Sequence, residues 1–162
     1  MSTKPILVFG YGNLSRGDDA LGVLMLEHIE ARFSLENIDL LTDFQLQIEH
    51  ALDLENRELV VFVDASVKSE TAFEFTRLQS IRDLSHTTHA MSPAAILDTY
   101  QTIKNETPPP CFLLAIGADS FELGEDLGEK AKQNLAKATE FMETLLNNPT
   151  FEFWQSQITK QQ

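Results

Sequence analysis

The chain alternates short apolar runs with longer segments in which apolar residues recur every three or four positions. Four of the runs are continuous, which is typical of parallel strands covered on both faces. They are PILVFG (5–10), NIDLLTD (37–43), ELVVFVDA (58–65) and PCFLLAIGA (110–118). A fifth run, AFEFTRLQ (72–79), alternates phenylalanine with polar residues. This alternation predicts a half-exposed edge strand, antiparallel to its neighbour.

Helical patterns fill the segments between the runs, over residues 18–33, 45–56, 92–104 and about 127–146. The third begins well for a helix, because Ser92 suits the N-cap and Pro93 suits the first helical position. Right-handed crossovers place such helices on both faces of the sheet. The order of elements therefore predicts an α/β fold, a three-layer α/β/α sandwich around a mostly parallel, twisted five-stranded sheet.

The length of 162 residues, of which 43% are hydrophobic, is that of one domain with a sizeable core. We assign residues 1–147 to a single α/β domain and residues 148–162 to a C-terminal tail. The aromatic residues Phe151, Phe153 and Trp154 predict that the tail docks on the domain rather than binding a partner.

Composition limits the classes of partner. Lysine and arginine number 12 and aspartate and glutamate 25, which gives a formal net charge of -13. Such a surface repels phosphate backbones and anionic headgroups, so nucleic acid and membranes are not expected partners. No basic leader precedes the first apolar run and no window is apolar enough to span a bilayer, which predicts a cytoplasmic protein. The single cysteine, Cys111, lies in a predicted strand and is expected to be a packed thiol.

In sheets of this kind, ligands bind at the carboxyl ends of the strands. The charged residues at these ends are Asp18 and Asp19 after the first strand, Asp43 after the second, Asp64 after the third, and His86 and His89 before the third helix. Carboxylates together with imidazole suit a divalent ion such as nickel or zinc. The sequence therefore predicts a cation site at this rim.

Other interpretations of these residues stay open. The Gly10–Ser15 turn has two of the three glycines of a dinucleotide-binding motif, but Asp18 and Asp19 would repel a pyrophosphate there. The two acids also suit the start of a helix, and Asp64 suits a strand end that accepts hydrogen bonds from loop amides. The residues alone do not decide between these roles.

Over residues 5–146 the sequence resembles the nickel-iron hydrogenase maturation endopeptidases. Four ordered blocks carry the resemblance: ILVFGYGNLSRGDDALGV, VVFVDASV, SHTTHAMSPAAIL and LAIGADSFELGEDL. The family trims the C-terminal extension of the hydrogenase large subunit after nickel insertion. The resemblance therefore implies a metal-dependent endopeptidase whose partner is a nickel-loaded large-subunit precursor.

The resemblance also implies roles for four residues. Asp19, Asp64 and His89 match the positions that contact nickel, which the precursor supplies, and Asp43 matches a further acid near the catalytic site. Phe44–Leu46 departs from the small, glycine-rich sequence of many relatives. The alternative is a non-catalytic, nickel-dependent binding module or chaperone for the same precursor.

Overall fold

A computed structural model describes residues 3–13, 17–80, 91–119, 124 and 127–159. The strands are β1 (Ile6–Tyr11), β2 (Ile38–Asp43), β3 (Leu59–Ser66), β4 (Phe73–Arg77) and β5 (Cys111–Gly117). They form one five-stranded sheet in the order β2-β1-β3-β5-β4. All neighbours are parallel except β4 and β5, which are antiparallel. The predicted mixed sheet is confirmed, including its antiparallel edge strand.

Helices cover both faces of this sheet. They are α1 (Leu21–Arg32), α2 (Pro93–Lys104), α3 (Glu129–Asn147) and α4 (Phe151–Ser156), with 3-10 helices at Gly17–Ala20 and Ile48–Leu54. Helices α1, α3 and α4 pack on one face, and α2 packs with the second 3-10 helix on the other. This confirms the three-layer α/β/α sandwich. Within the described residues, no helix has both the length and the apolarity needed to cross a bilayer.

Each buried strand contributes to two hydrophobic cores. In β1, Ile6 and Val8 face the core that includes α1 and α3, whereas Leu7 and Phe9 face the core that includes α2. Successive side chains of a strand point to opposite faces, so a strand covered on both sides requires a continuous apolar run. For this reason β1, β3 and β5 can be predicted from the sequence.

Strand β2 corrects one prediction. Its run was expected to be buried on both faces, but β2 lies at the free edge of the sheet and only Ile38 is fully buried. Leu40 packs against one core and Leu41 against the other, and both are only partly buried. A strand with one neighbour leaves its outer side to solvent, whatever its sequence pattern.

The helical segments agree with the predictions to different degrees. Ser92 caps α2 as predicted, its Oγ accepting a hydrogen bond from the backbone N–H of Ala95 at 3.1 Å. The helix predicted over 18–33 starts with a 3-10 turn and becomes α-helical only at Leu21. The helix predicted over 45–56 is instead a 3-10 helix over Ile48–Leu54.

The C-terminal segment shares the core of the domain. Trp154 is completely buried and its Nε1 donates to the backbone oxygen of Leu145 at 2.9 Å. Beyond α4, the backbone N–H of Thr159 donates to the Phe75 oxygen at 2.8 Å, and the Phe75 N–H donates to Thr159 Oγ1 at 3.0 Å. Thr159 thus satisfies both backbone groups of Phe75 in β4, at an edge that would otherwise be open to strand pairing.

The contact between Thr159 and Phe75 leads to a first prediction. Replacing Thr159 by valine keeps the shape of the side chain but removes the acceptor for the Phe75 N–H. The free energy of unfolding should fall by about 1 kcal/mol. Thr159→Ser retains the hydroxyl and is the control. Urea denaturation followed by circular dichroism measures both variants, and an equal loss in the two would contradict a role for the hydroxyl.

Candidate active site

Strand register brings two of the predicted acids into one row at the carboxyl edge of the sheet. Tyr11 at the end of β1 pairs with Asp43 at the end of β2. On the other side of β1, Gly10 pairs with Val63, so the next residue of β3, Asp64, lies level with Tyr11. Residues level with one another in parallel strands point to the same face, and strands lie roughly 5 Å apart. Asp43 and Asp64 therefore flank Tyr11 on the face that carries α2.

Asp64 is a largely buried carboxylate held by hydrogen bonds. Its Oδ1 accepts from the Ala65 N–H at 2.8 Å. Burial raises the pKa of Asp64 from its ordinary value of 3.8 to about 6, and the charge of Asp19 adds to the rise. The bonds from Ala65 and the Tyr11 hydroxyl oppose this rise without cancelling it. The ionised form of Asp64 is therefore poorly compensated and would gain from a cation nearby.

Tyr11, which lies between Asp43 and Asp64, contributes a hydroxyl group to the site. Its pKa is raised well above 10.0 by burial, and the carboxylates of Asp64 and Asp19 raise it further. The hydroxyl consequently keeps its proton at any working pH and acts as a donor toward Asp64. A permanent donor next to a carboxylate fixes which oxygen is left to bind another ligand.

Asp19 reaches the same site from the turn after β1. Its Oδ2 accepts from the Asn13 N–H at 3.0 Å, and its charge acts on both Tyr11 and Asp64. Gly12 makes this approach feasible: its φ is +147°, and a Cβ there would lie 2.0 Å from the backbone oxygen of Asp19. A glycine is thus required at position 12 so that the backbone of Asp19 can lie next to the end of β1.

The neighbouring acid, Asp18, points elsewhere. Its side chain is buried, with Oδ2 accepting from the Asp119 N–H at 2.7 Å and Oδ1 from the Gly128 N–H at 2.8 Å. Gly128 is the N-cap of α3, so Asp18 ties the β5–α3 connection to the 3-10 turn. The acidic pair therefore divides into a structural carboxylate and one that faces the site.

Asp43 is held at both carboxylate oxygens. Its Oδ1 accepts from the Phe44 N–H at 2.7 Å, and its Oδ2 lies 3.1 Å from Nε2 of His50. The side chain is 40% exposed, so the fixed carboxylate still meets solvent. The site thus combines a buried acid, Asp64, with a more open one, Asp43.

The predicted site also includes histidines. His86 and His89 fall outside the described residues, so the nickel-contacting trio of Asp19, Asp64 and His89 stays a prediction. Among the residues that are described, no three histidine, cysteine or acidic side chains form a group that could hold a metal ion. The described part of the trio consists of the two carboxylates, which suit a divalent cation only with a further ligand.

No protein-family model matches the sequence, and no curated protein does either. Solved structures do match. The hydrogenase maturating endopeptidase HybD from E. coli is 24% identical with a TM-score of 0.68, covering 88% of this chain and 93% of its own. The nickel-iron hydrogenase maturation protease HycI from Thermococcus kodakarensis is 24% identical with a TM-score of 0.66, covering 90% and 93%. An endopeptidase from Escherichia coli is 22% identical with a TM-score of 0.70, covering 89% and 93%.

The chain has the fold of the hydrogenase maturation endopeptidases. The resemblance seen in the sequence is thus confirmed at the level of fold, over nearly the whole length of the matching proteins. Because the likeness extends across the sheet and its covering helices, the carboxyl edge that carries Asp19, Asp43 and Asp64 belongs to the shared architecture.

Within this endopeptidase fold, the single cysteine is no nucleophile. Cys111 is buried at the start of β5, and burial raises the pKa of its thiol to about 12. Thiols react as thiolates, so Cys111 is chemically inert at neutral pH, as expected from the sequence.

Two residues of the site, Tyr11 and His50, were not predicted from the sequence. Tyr11 lies within ILVFGYGNLSRGDDALGV, where a polar residue at the end of a buried strand is the signal for a role at the carboxyl edge of the sheet. His50 lies in the helical segment predicted over 45–56, four residues from both Leu46 and Leu54, and a histidine between buried leucines requires a polar partner.

Proposed function

We propose that the protein is an endopeptidase that removes the C-terminal extension of a nickel-iron hydrogenase large-subunit precursor after nickel insertion. The observation that carries this proposal is the placement of Asp19, Asp43 and Asp64 along the same carboxyl edge of the sheet, with Asp19 acting on Asp64, in the fold of the maturation endopeptidases. The reaction is peptide hydrolysis in the cytoplasm, and the precursor is both partner and substrate.

Nickel in this proposal belongs to the substrate and acts as the recognition element. Asp19, Asp64 and His89 contact it from the side of the peptidase. The raised pKa of Asp64 supports this role, because a buried carboxylate with incomplete compensation gains most from an incoming cation. A cation that displaces the proton from Asp64 makes binding stronger as the pH rises through about 6.

The proton transfer of hydrolysis falls to the carboxylates of the chain. A general base must lie within hydrogen-bond reach of the attacking water and be held in a fixed orientation. Asp43 is oriented at both oxygens and 40% exposed, so it suits a base that takes a proton from water. Metal-assisted activation of water and simple positioning of the scissile peptide by nickel are both compatible with Asp43 in this role.

Direct attack by water fits the described residues better than a covalent intermediate. The only cysteine, Cys111, is buried with its thiol protonated. Nucleophilic catalysis needs an activated side chain next to a base. Attack by water requires only the oriented carboxylates that this rim supplies.

Intact-mass spectrometry tests the proposal. A panel of nickel-loaded large-subunit precursors is incubated with the protein, next to the same precursors without nickel. We expect a C-terminal peptide to be lost from a loaded precursor only, and Asp19→Ala to abolish this loss. Cleavage of the nickel-free form would overturn the gating by nickel. Binding of a loaded precursor with no change in mass would favour the chaperone alternative.

A further inference from the structure

We propose that His50 is a positioning residue, which holds the Asp43 carboxylate in its working orientation by donating a hydrogen bond from Nε2. This inference rests on the proposed function, in which Asp43 accepts a proton from water. Nothing in the sequence pattern of the strand ends points to His50, which lies on the 3-10 helix after β2.

The hydrogen bonds of the imidazole ring determine its tautomer. The backbone N–H of Gln47 donates to Nδ1 of His50 at 2.8 Å. A nitrogen that accepts a hydrogen bond carries a lone pair, so the proton of the neutral ring is on Nε2. Nε2 lies 3.1 Å from Oδ2 of Asp43 and therefore donates to it.

The surroundings keep the ring in this place. Only 12% of the His50 side chain is exposed, and the ring packs edge-on against Phe9 with centroids 4.8 Å apart. The bond between Gln47 and His50 is half of a reciprocal pair at the start of the 3-10 helix, since the backbone N–H of His50 donates to the backbone oxygen of Gln47 at 2.9 Å. The imidazole is thus fixed by backbone and core contacts that do not depend on a substrate.

Both ring nitrogens are already used, which defines the role of His50. Neither nitrogen has a lone pair left for a metal or for a proton from water, because Nδ1 serves Gln47 and Nε2 carries the hydrogen given to Asp43. His50 must therefore act through Asp43.

The consequence for Asp43 is a carboxylate with one donor on each oxygen. The Phe44 N–H holds Oδ1 at 2.7 Å and His50 holds Oδ2. Two donors stop rotation about the terminal side-chain bond, while each oxygen keeps a second lone pair for water. A fixed lone pair is what a general base requires, and without His50 the carboxylate would turn freely in its half-exposed setting.

Two amide variants separate positioning from structure. The amide nitrogen of His50→Gln reaches the place of Nε2, so this variant keeps the donor to Asp43 and loses the acceptor for Gln47. The amide oxygen of His50→Asn takes the place of Nδ1, so this variant keeps the acceptor for Gln47 and loses the donor to Asp43. His28→Asn is the matched control, because His28 lies on α1, 3.5 Å from Glu143, on the opposite face of the sheet.

We expect cleavage of the loaded precursor to stay within about 3-fold of wild type in His50→Gln and to fall by about 10-fold or more in His50→Asn. The loss should appear in kcat with KM unchanged, because His50 does not touch the substrate. The urea midpoint should move in the opposite order and be lower in His50→Gln. Cleavage that follows the urea midpoint, or an equal loss in both variants, would overturn the proposal.

Nitrogen NMR of the wild-type imidazole gives a readout that needs no precursor. We expect Nε2 of His50 to carry the proton and Nδ1 to be unprotonated. An Nδ1–H tautomer would overturn the role of His50 alone. Failure of the wild-type protein to cleave any loaded precursor would instead contradict the proposed function, so the two failures are distinguishable.

Discussion

Replacing Asp64 by asparagine is expected to abolish precursor cleavage and to stabilise the folded protein by about 2 kcal/mol at pH 8. The loss of cleavage should be at least about 100-fold, the scale on which removal of one essential group slows an enzyme. The gain in stability arises because burial raises the pKa of Asp64 from 3.8 to about 6. A residue that costs stability while it is ionised is thus retained for its chemistry.

The sign of this effect follows from proton binding. Between about pH 4 and pH 6 the folded protein holds the Asp64 proton more tightly than the unfolded chain does, so this residue's contribution to stability falls as the pH rises. The difference between 3.8 and about 6 corresponds to about 3 kcal/mol, and we expect about 2 because Asp64 is not completely buried and solvent screens part of its charge.

Urea denaturation at three pH values checks this prediction. The variant and the wild type should be nearly equal in stability at about pH 3, where Asp64 is mostly protonated in both the folded and the unfolded state. The gap should open through pH 6 and be complete at pH 8. A variant that is less stable at pH 8, or that still cuts the precursor, would contradict the place of Asp64 in the site.

The two adjacent acids should give opposite results when they are replaced separately. Asp18→Asn places an amide where two backbone N–H groups, from Asp119 and Gly128, converge on a buried carboxylate. One amide N–H would then face another donor, and we expect the free energy of unfolding to fall by about 3 kcal/mol. Asp19→Asn retains an acceptor for the Asn13 N–H and should cost about 1 kcal/mol or less, yet it should lose cleavage.

Thermal and urea unfolding, together with the cleavage assay, separate the two variants. Each serves as the control of the other, since they remove the same charge from neighbouring positions. Cleavage by Asp18→Asn should persist at temperatures where the variant is folded. An active Asp19→Asn protein would exclude that carboxylate from recognition of the loaded precursor.

Most strand positions can be predicted from the sequence because burial on both faces leaves a local mark. β1, β3 and β5 read as continuous apolar runs for this reason. β2 has adjacent leucines, Leu40 and Leu41, that read in the same way, although the strand lies at an edge. Strand order depends on contacts between distant parts of the chain, and no local pattern encodes it.

The division of the acidic pair shows a second limit. In a 3-10 turn successive side chains point about 120° apart, so one acid of a pair can face inward while the next faces the rim. The groups that bind Asp18 lie 101 and 110 positions later in the chain. The spacing of charges could therefore locate the rim, but it could not distinguish the structural acid from the functional one.

The second helical segment shows a third limit of prediction from the sequence. Leu46, His50 and Leu54 are spaced four apart in the sequence, and both leucines are buried. The pattern cannot show that His50 binds the Gln47 N–H and Asp43, because helical spacing treats it as one more position on a stripe. Polar residues on an inward stripe are the positions where such a pattern calls for a partner.

The two faces of the sheet have different tasks, and this affects how the protein can diverge. The larger core, which includes α1, α3 and Trp154, lies on the face opposite Tyr11, Asp43 and Asp64. Substitutions in the buried face of α3 can therefore change the stability of the fold without touching these three side chains. The β2 edge and the 3-10 helix that follows it carry Asp43 and His50, so changes in this segment would affect the proton-accepting carboxylate while leaving the larger core intact.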